Sequence, residues 1–385
     1  MREKYFMVKT LRPNFSKAPF SFRHYLGIDY HVESVTIAVI IEGQNTIDRT
    51  VRFANQDKTI KKFLKKISTN YTVKACYEAS CSGYVFQRKM ESWGYHCDVI
   101  APSLIPEKRG DRRKNDYRDA IKLALNYANG MLTLVHLPTQ EDESVRCLVR
   151  CRLTLKETEK RTKQKINTFI LSQGYRWPKT KWTQKHRQWL ATLQMYNSYS
   201  QTVLDEYLGH LNYLGARIGH IDKEIENIAK SEKYWQNVKR LRAFKGLDTL
   251  SAMILLSEIA DFKRFRNARS LMAFFGLIPS EESSGDNLKG GPITKTGNRR
   301  CRTQLIESVK HCTKKPYISA KMKANLKDVD AQSANIAIKC MHRLHKRYWA
   351  LAVKGKSRNK AMTAAAREFA GFIWAMMSAN PVHNG

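Results

Sequence analysis

The first third of the chain carries an order of predicted strands and helices that few folds share. Short runs of β-branched and aromatic residues predict strands, and stretches with helical spacing separate the later runs. The predicted strands cover residues 25–30, 35–41, 46–53, 73–77 and 97–100, and helices are predicted near residues 59–67 and 84–93. A meander of three antiparallel strands followed by β/α alternation is the element order of an RNase H-like fold. We therefore predict an α/β domain of that kind over residues 22–138.

From about residue 139 the sequence changes to long, charged, glycine-poor helix. Eight apolar residues fill the a and d positions of four heptads without a break, which favours a coiled coil. They are Leu204, Tyr207, Leu211, Leu214, Ile218, Ile221, Ile225 and Ile228. We predict that this stripe pairs between subunits in a helical region over residues 139–237, giving a dimer or tetramer. An intrachain hairpin with a helix over residues 145–170 is the alternative.

The charge balance predicts the kind of partner. The chain has 68 Lys and Arg against 34 Asp and Glu, a formal net charge of +34. A field of that sign favours polyanions, so nucleic acid is the expected partner, bound with strong salt dependence. A ribosomal or chromatin-type binder and a membrane-surface protein are the alternatives, and no segment has the length and hydropathy of a membrane span. Residues 1–21 are basic without a continuous apolar core, which predicts a nucleic-acid-touching arm or an unstructured leader instead of a secretory signal.

The eight cysteines show no Cys-x-x-Cys pair and no Cys/His spacing typical of zinc modules. We predict reduced thiols in a cytoplasmic protein, most of them packing residues. Cys147 and Cys151 stand one helical turn apart, which favours a buried helix face. The others are Cys76, Cys81, Cys97, Cys301, Cys312 and Cys340.

Four carboxylates follow the predicted elements of the first domain. Asp29 ends the first strand in Leu-Gly-Ile-Asp, and Glu78 ends a later one in Cys-Tyr-Glu-Ala. Asp116 and Asp119 are three residues apart at the start of a helix, which places them on one face. Hard oxygen ligands hold Mg²⁺, and two such ions clamp the attacking and leaving oxygens of a phosphoryl transfer. We predict a Mg²⁺ site here; a turn or helix-capping role for each residue is the alternative.

A glycine-rich, basic stretch over residues 276–297 is predicted to be a loop. Its glycines let the backbone approach a phosphate closely, and a helix that begins near Asn298 presents its N-terminus to the same anion. The serine beside Gly285 is placed to attack a phosphodiester, but it needs activation by a base or a metal. On composition alone an ordinary Ser/Gly loop is the alternative. The cations that we expect to bind nucleic acid are Lys289, Lys295, Arg299, Arg300 and Arg302.

These residues resemble the "one-hundred-and-ten" family of bacterial insertion-sequence transposases and the related pilin-gene invertases. Asp29, Glu78, Asp116 and Asp119, within Gly-Ile-Asp, Tyr-Glu-Ala and Asn-Asp-Tyr-Arg-Asp-Ala, look like the DEDD tetrad of that family. Ala-Phe-Phe-Gly-Leu-Ile-Pro followed by Ser-Ser-Gly, and then Ile-Thr-Lys-Thr-Gly-Asn-Arg-Arg, resemble its C-terminal transposase motif. The likeness extends over about residues 25–377, with the domains in the order of the family.

The resemblance implies a RuvC-like catalytic domain, a coiled coil, and a mainly α-helical C-terminal domain over residues 238–385 that carries a nucleophilic serine. By register from Gly276 and Pro279, that serine is Ser284, with Ser283 as the less favoured neighbour. The family uses Mg²⁺, donor and target DNA, and a structured noncoding guide RNA. It also implies a multimer in which the carboxylates of one subunit and the serine of another form the site, in a bacterial, nucleoid-associated protein of the cytoplasm.

Three other functions remain open on the sequence. A RuvC-like DNA endonuclease would use the same metal site with water as the nucleophile. A nucleic-acid-binding scaffold with a decayed catalytic domain would bind without metal and cleave nothing. An actin-like ATPase also begins with a strand-end Asp, but it needs glycine-rich phosphate loops, and the residues after Asp29 offer none.

Overall fold

The computed structural model describes residues 23–44, 46–69, 72–79, 83–106, 115–284 and 287–379, with the backbone alone over residues 281–290. The predicted arm over residues 1–21 and Cys81 lie outside the described residues. The chain divides into two compact units, Met1–Leu137 and Pro138–Gly385. The predicted boundary between residues 237 and 238 falls inside the second unit.

The first unit is a mixed five-stranded sheet with helices on both faces. The strand order is β3-β2-β1-β4-β5; β2 is antiparallel to β1 and β3, whereas β1, β4 and β5 run parallel. The predicted strands are found, with ends shifted by at most three residues. The elements are β1 (Arg23–Tyr30), β2 (Ser34–Ile41), β3 (Arg49–Ala54), α1 (Asp57–Ile67), β4 (Thr72–Glu78), α2 (Val85–Ser92), β5 (His96–Ile100) and α3 (Asp116–Ala128).

Alternating side chains of the sheet supply two layers of core. Leu26 and Ile28 of β1 pack with Leu64 of α1 and Met90 of α2 on one face. On the other face Ala38 and Ile40 of β2 pack with Ala120 and Ala124 of α3. Because both faces are covered, β2 is buried along nearly its whole length and reads as a continuous apolar run.

The second unit is mainly helical around one large core that contains residues from Val145 to Met377. Its long terminal helices cover the two stretches predicted as a helical tail. The elements are α4 (Gln140–Ser172), α5 (Gln184–Thr192), α6 (Ser198–Ala229), α7 (Glu232–Arg242), α8 (Thr249–Ile259), α9 (Ala268–Phe274), β6 (Pro279–Ser284), β7 (Asn287–Ile293), α10 (Arg299–Val309), α11 (Ala320–Lys327), α12 (Ala331–Val353) and α13 (Arg358–Ser378). None of the helices within the described ranges is long and apolar enough to cross a membrane.

The heptad stripe of α6 is buried within a single chain. Its first part packs with Ile166 and Ile170 near the end of α4, and its last part packs with Val149 near the beginning of α4. The two helices therefore form an antiparallel hairpin, which an Arg152–Asp222 ion pair at 2.8 Å also joins. The intrachain alternative accounts for the stripe, so the stripe no longer supports pairing between subunits.

Two predictions in the second unit are wrong. Cys147 and Cys151 are exposed, because Val145 and Val149 occupy the buried face of α4. Each cysteine follows one of these valines by two residues, and residues two apart in an α-helix lie on nearly opposite sides of it. The stretch over residues 276–297 is not a plain loop. Most of it forms the antiparallel pair β6–β7, in which Ser284 pairs with Asn287 and Pro279 pairs with Ile293.

Candidate functional site

Two of the predicted carboxylates lie at the same edge of the sheet, at the ends of neighbouring strands. Ile28 of β1 pairs with Tyr77 of the parallel strand β4, and Asp29 and Glu78 are the next residues of the two strands. Neighbouring strands lie about 4.8 Å apart, so the backbones that carry these residues are adjacent. Glu78 is exposed, and the side chain of Asp29 is mostly covered, with 18% of its surface exposed.

The other two carboxylates occupy the first turn of α3. Asn115 caps this helix, because its side chain accepts a hydrogen bond from the Tyr117 amide at 3.0 Å. Asp116 and Asp119 therefore have no capping task, and the helix dipole favours their negative charge at this end. The capping alternative raised by the sequence does not hold for Asp116.

Gly27 brings α3 against the strand that carries Asp29. A Cβ atom at Gly27 would lie 2.2 Å from the Ala124 amide nitrogen and 2.3 Å from the Ala120 carbonyl oxygen. Those neighbours are backbone atoms of α3 and cannot rotate away. Only glycine permits this approach, which sets the distance between the beginning of α3 and the end of β1.

A Gly27→Ala substitution is therefore expected to lower the free energy of unfolding by about 3 kcal/mol through overpacking. It should also weaken divalent-metal binding, since α3 is displaced from β1. Urea denaturation and calorimetric metal titration measure the two effects. Gly209→Ala is the control: nothing lies within 4 Å of the added methyl group in α6, and we expect a gain of about 1 kcal/mol. A Gly27→Ala protein as stable as the parent would show that α3 is not packed this closely.

Asp29, His31 and Asp116 form a compact group. One ligand atom from each lies within 4.8 Å of the other two. His31 Nε2 is 3.1 Å from Asp29 Oδ2 and 3.9 Å from Asp116 Oδ1. The guanidinium of Arg52 forms an ion pair with Asp116 Oδ2 at 3.1 Å, so this carboxylate has a cationic neighbour on β3 as well. Sequence reasoning missed His31 and Arg52, although His31 follows Asp29 by only two residues.

Burial raises the pKa of Asp29 above its ordinary value of 3.8. The negative charges of Asp116 and Asp119 raise it further, whereas the charge and hydrogen bond of His31 lower it without cancelling the effect. Both α3 carboxylates therefore act electrostatically on the strand-end carboxylate. Such repulsion among acidic groups is relieved when a cation binds between them.

The donor set fits a divalent cation. Asp29 and Asp116 supply hard carboxylate oxygens, and one or two carboxylates together with substrate phosphates are a common ligand set for such ions. The imidazole of His31 is a ligand that transition metals accept more readily than magnesium does. Asp119 and Glu78 are not part of this compact group; they lie on α3 and at the end of β4.

The predicted serine lies at the end of β6 in the second unit. In the backbone register Ser283 pairs with Leu288 and Ser284 pairs with Asn287. The side chains of both serines and of Lys289 lie outside the described part of the structure. The position of Ser284 is therefore that of the last residue of a hairpin strand, before the dipeptide Gly285-Asp286.

The base of this hairpin is joined to the basic motif that follows it. The Thr294 amide donates to the Ile278 carbonyl at 2.9 Å, and the Asn298 amide donates to the Phe274 carbonyl at 2.7 Å. At Gly297, whose φ is +135°, a Cβ atom would lie 2.4 Å from that same Phe274 oxygen. These bonds fix the beginning of β6 relative to the N-terminus of α10.

The predicted nucleic-acid-binding cations differ in what they contact. Lys295, Arg299 and Arg300 are exposed, and Asn298 caps α10 by accepting from the Cys301 amide at 3.0 Å. Arg302 instead donates to the Phe275 carbonyl at 2.7 Å, which ties α10 to the end of α9. Its guanidinium thus has a structural contact that sequence reasoning did not anticipate.

Glu258 of α8 contacts the basic motif through Asn298. Its side chain is 1% exposed, and its carboxylate receives two hydrogen bonds from Arg150 at 2.7 Å and one from the Asn298 amide group at 2.7 Å. Burial alone would raise the pKa of Glu258, but the hydrogen bonds and charge of Arg150 and the bond from Asn298 hold it below its ordinary value. A single acidic residue within the apolar sequence of α8 was the available sequence signal.

Replacing Arg150 with Met should lower the free energy of unfolding by about 3 kcal/mol at neutral pH, because the Glu258 charge stays buried without its main partner. A depressed pKa stabilises the fold above the ordinary value of 4.5 and loses that effect as the pH falls through the folded-state pKa. The deficit should therefore shrink below about pH 4 in denaturation series. Arg152→Met is the control, with an expected loss of about 1 kcal/mol or less, since Asp222 is partly exposed. Equal losses in both variants would contradict the role given to Glu258.

Comparisons with known proteins match both units. A family profile described as "Transposase", of the DEDD type, matches residues 26–175, and one described as "Transposase IS116/IS110/IS902 family" matches residues 238–323. The chain is 36% identical over 361 residues to "Putative transposase y4qE" of Sinorhizobium fredii, covering 91% of this chain and 88% of that protein. It is 35% identical over 254 residues to the "Transposase for insertion sequence element IS1533" of Leptospira borgpetersenii, covering 65% and 73%. The two profile matches include the four carboxylate residues and the strand that carries Ser284.

Proposed function

The chain belongs to the IS116/IS110/IS902 family of transposases, and from that premise we propose that it cuts and rejoins DNA by serine attack on the phosphodiester. Transposition of an insertion sequence is the function of the family, and it requires DNA as the substrate. The observation that carries the finer proposal is the group formed by Asp29, His31 and Asp116 at the strand end. Phosphoryl transfer on DNA needs anionic oxygen ligands in such a place.

We propose that the first unit has the RNase H-like, RuvC-type fold. The support is its strand order, with β1 central, β2 and β3 antiparallel on one side, and β4 and β5 parallel on the other. In this arrangement Asp29 stands on the central strand, Glu78 on its parallel neighbour, and Asp116 and Asp119 on the helix that packs across Gly27. The four residues proposed as the DEDD set therefore come from three elements of one unit.

The proposed cofactor is Mg²⁺, held by Asp29 and Asp116 with Glu78 and Asp119 beside them. DEDD transposases typically use a divalent metal, which, when bound, neutralises charge on the scissile phosphate and favours the deprotonated serine. His31 Nε2 donates a hydrogen bond to Asp29 Oδ2 and so fixes the orientation of that carboxylate. Arg52 forms an ion pair with Asp116 and so holds the second carboxylate.

The proposed chemical step is a direct exchange of one phosphoester for another. Ser284 Oγ forms a bond to the phosphorus, and the bond from phosphorus to the 3′ oxygen breaks. The serine loses its proton and the 3′ oxygen gains one, so the DNA ends in a free 3′ hydroxyl and a phosphoserine link. Rejoining reverses these changes on a new strand and needs no ATP. Lys295, Arg299 and Arg300 are exposed cations that neutralise the phosphates near the hairpin.

Two further parts of the proposal concern partners. The net charge of +34 suits a protein that binds a structured guide RNA together with donor and target DNA. Assembly into a multimer is also proposed, through surfaces other than the α6 stripe, because that stripe is covered by α4. Copurification of RNA with the protein and light scattering in its presence test these two parts.

A covalent-trapping assay tests the proposed chemistry. The protein, expressed together with RNA from its own element, is incubated with labelled donor and target DNA and Mg²⁺, and the products are separated on a denaturing gel. We expect a protein–DNA adduct that forms with Mg²⁺ and is absent with EDTA. DNA cleavage without any adduct would instead indicate a metal-dependent nuclease that uses water.

A further inference from the structure

The end of the α4–α6 hairpin has an unusual distribution of charge. This hairpin end, defined as residues 160–204, comprises the last three turns of α4, the connection with α5, and the beginning of α6. It contains nine Lys and Arg and no Asp or Glu. Arg161 and Lys163 pair with Glu157 and Glu159, which directly precede the segment. The remaining excess of cations repels other cationic surfaces and attracts polyanions.

An aromatic cluster surrounds one buried histidine in the hairpin end. The ring of His186 lies 5.4 Å from that of Trp177, 5.2 Å from that of Trp182 and 5.7 Å from that of Trp189, onto which it stacks. His186 is fully buried, and its Nδ1 accepts the Trp182 amide at 2.9 Å. Its Nε2 has no hydrogen-bond partner among the residues that the structure describes. The backbone of Trp182 is held at φ +67°, a conformation rare for a bulky residue. These contacts fix the indole rings in place.

The same rings are only partly covered by the protein. All three tryptophans keep part of their surface exposed, and the Lys163 ammonium lies 5.5 Å from the centre of the Trp182 ring. Tyr196, two residues before α6, is 93% exposed, and Tyr199 in the first turn of α6 is 83% exposed. The hairpin end thus presents rigid, partly exposed indoles and two largely exposed phenol rings among cations.

We propose that the hairpin end binds single-stranded nucleic acid, with bases stacked on its exposed aromatic rings and phosphates held by its lysines and arginines. Aromatic platforms within a basic surface bind unpaired strands in this way, because every base offers a face for stacking. In a duplex the bases are already stacked on one another, so the aromatic rings of the protein could contact only the sugar-phosphate backbone. A second copy of this chain is disfavoured as the occupant, since it would bring the same positive charge to the contact.

The test uses the full-length protein in EDTA, so its result does not depend on the catalytic proposal. Fluorescence anisotropy measures binding of labelled oligothymidylate, oligouridylate and a duplex, each of about 20 nucleotides or base pairs. The variant Tyr196→Ala/Tyr199→Ala changes no charge and removes side chains that pack on little else. It should bind either single strand about tenfold more weakly and the duplex within about twofold of the parent. The two single strands show whether the sugar matters.

Tyr213→Ala is the matched control, because this tyrosine is 61% exposed on the same helix but lies beyond the hairpin end. It should change every affinity by less than about twofold. Photocrosslinking of a strand that contains 5-iodouracil should place adducts within residues 175–199 of the parent protein. Unchanged affinity for both single strands in the double variant, equal losses for duplex and single strands, or crosslinks confined to other segments would each overturn the proposal.

Discussion

Replacing Ser284 with Ala should abolish the covalent protein–DNA adduct and slow strand cleavage by at least about a thousandfold, since removal of a nucleophile leaves only binding and charge stabilisation. Affinity for DNA should change little, because the substitution removes one uncharged hydroxyl group and leaves the net charge of +34 unchanged. The adduct is measured on denaturing gels with labelled DNA and Mg²⁺, and the affinity by anisotropy in EDTA.

The control for this variant is Ser283→Ala. The two serines hold successive register positions near the end of β6, paired with Leu288 and Asn287, so either substitution perturbs the hairpin backbone to a similar degree. We expect Ser283→Ala to retain the adduct. The reverse result would move the nucleophile by one residue. Cleavage that survives in Ser284→Ala without an adduct would replace serine attack by hydrolysis.

Local periodicity in the sequence was enough to find the strands and helices of the first unit. The apolar run of β2 is buried on both faces of the sheet, and such a run is recognisable without knowledge of its neighbours. The same holds for the strand-end positions of Asp29 and Glu78, which follow from where each run stops. The approach of α3 to β1 did not follow from periodicity, because it depends on the missing side chain at Gly27 and on backbone atoms about a hundred residues away in sequence.

The errors in the second unit have a common physical origin. Heptad spacing in α6 and the four-residue spacing of Cys147 and Cys151 in α4 each define a helix face, but spacing does not say what covers that face. The covering element is chosen by tertiary packing, here α4 on α6 and the core on Val145 and Val149. The hairpin β6–β7 was recognisable in principle, because the dipeptide Gly285-Asp286 between two extended runs is a hairpin signal.

Some members of the candidate site were missed because their partners are distant in sequence. Arg52 acquires a role only when α3 brings Asp116 beside it, whereas His31 contacts both Asp116 and Asp29, which precedes it by two residues. Glu258 can be recognised in the sequence as an isolated acidic residue in an apolar helix, but its partners Arg150 and Asn298 lie 108 and 40 residues away. The sequence shows that such a residue departs from the apolar pattern around it, but only its contacts in the fold show which side chains it binds.

An Asp29→Asn substitution is expected to lower cleavage by at least about a thousandfold while leaving the fold as stable as before or more stable. The amide keeps the size of the side chain but gives up a charged ligand between His31 and Asp116. Because the pKa of Asp29 is raised in the folded protein, its protonated carboxyl contributes stability that is fully present below the ordinary value of 3.8 and is lost as the pH rises through the folded-state pKa. At neutral pH the charge is therefore a cost to stability, and Asn removes it.

Asp48→Asn is the matched control for that substitution. The Asp48 side chain is 22% exposed against 18% for Asp29, and each carboxylate has one close basic neighbour, Arg49 or His31. Asp48→Asn should retain cleavage and divalent-metal binding, which calorimetric titration measures separately from activity. If Asp29→Asn lost stability as well as cleavage, the carboxylate would be a structural residue. Lost cleavage and metal binding at unchanged or higher stability is the combination that only a ligand produces, since its repulsion with Asp116 and Asp119 serves no purpose in the fold itself.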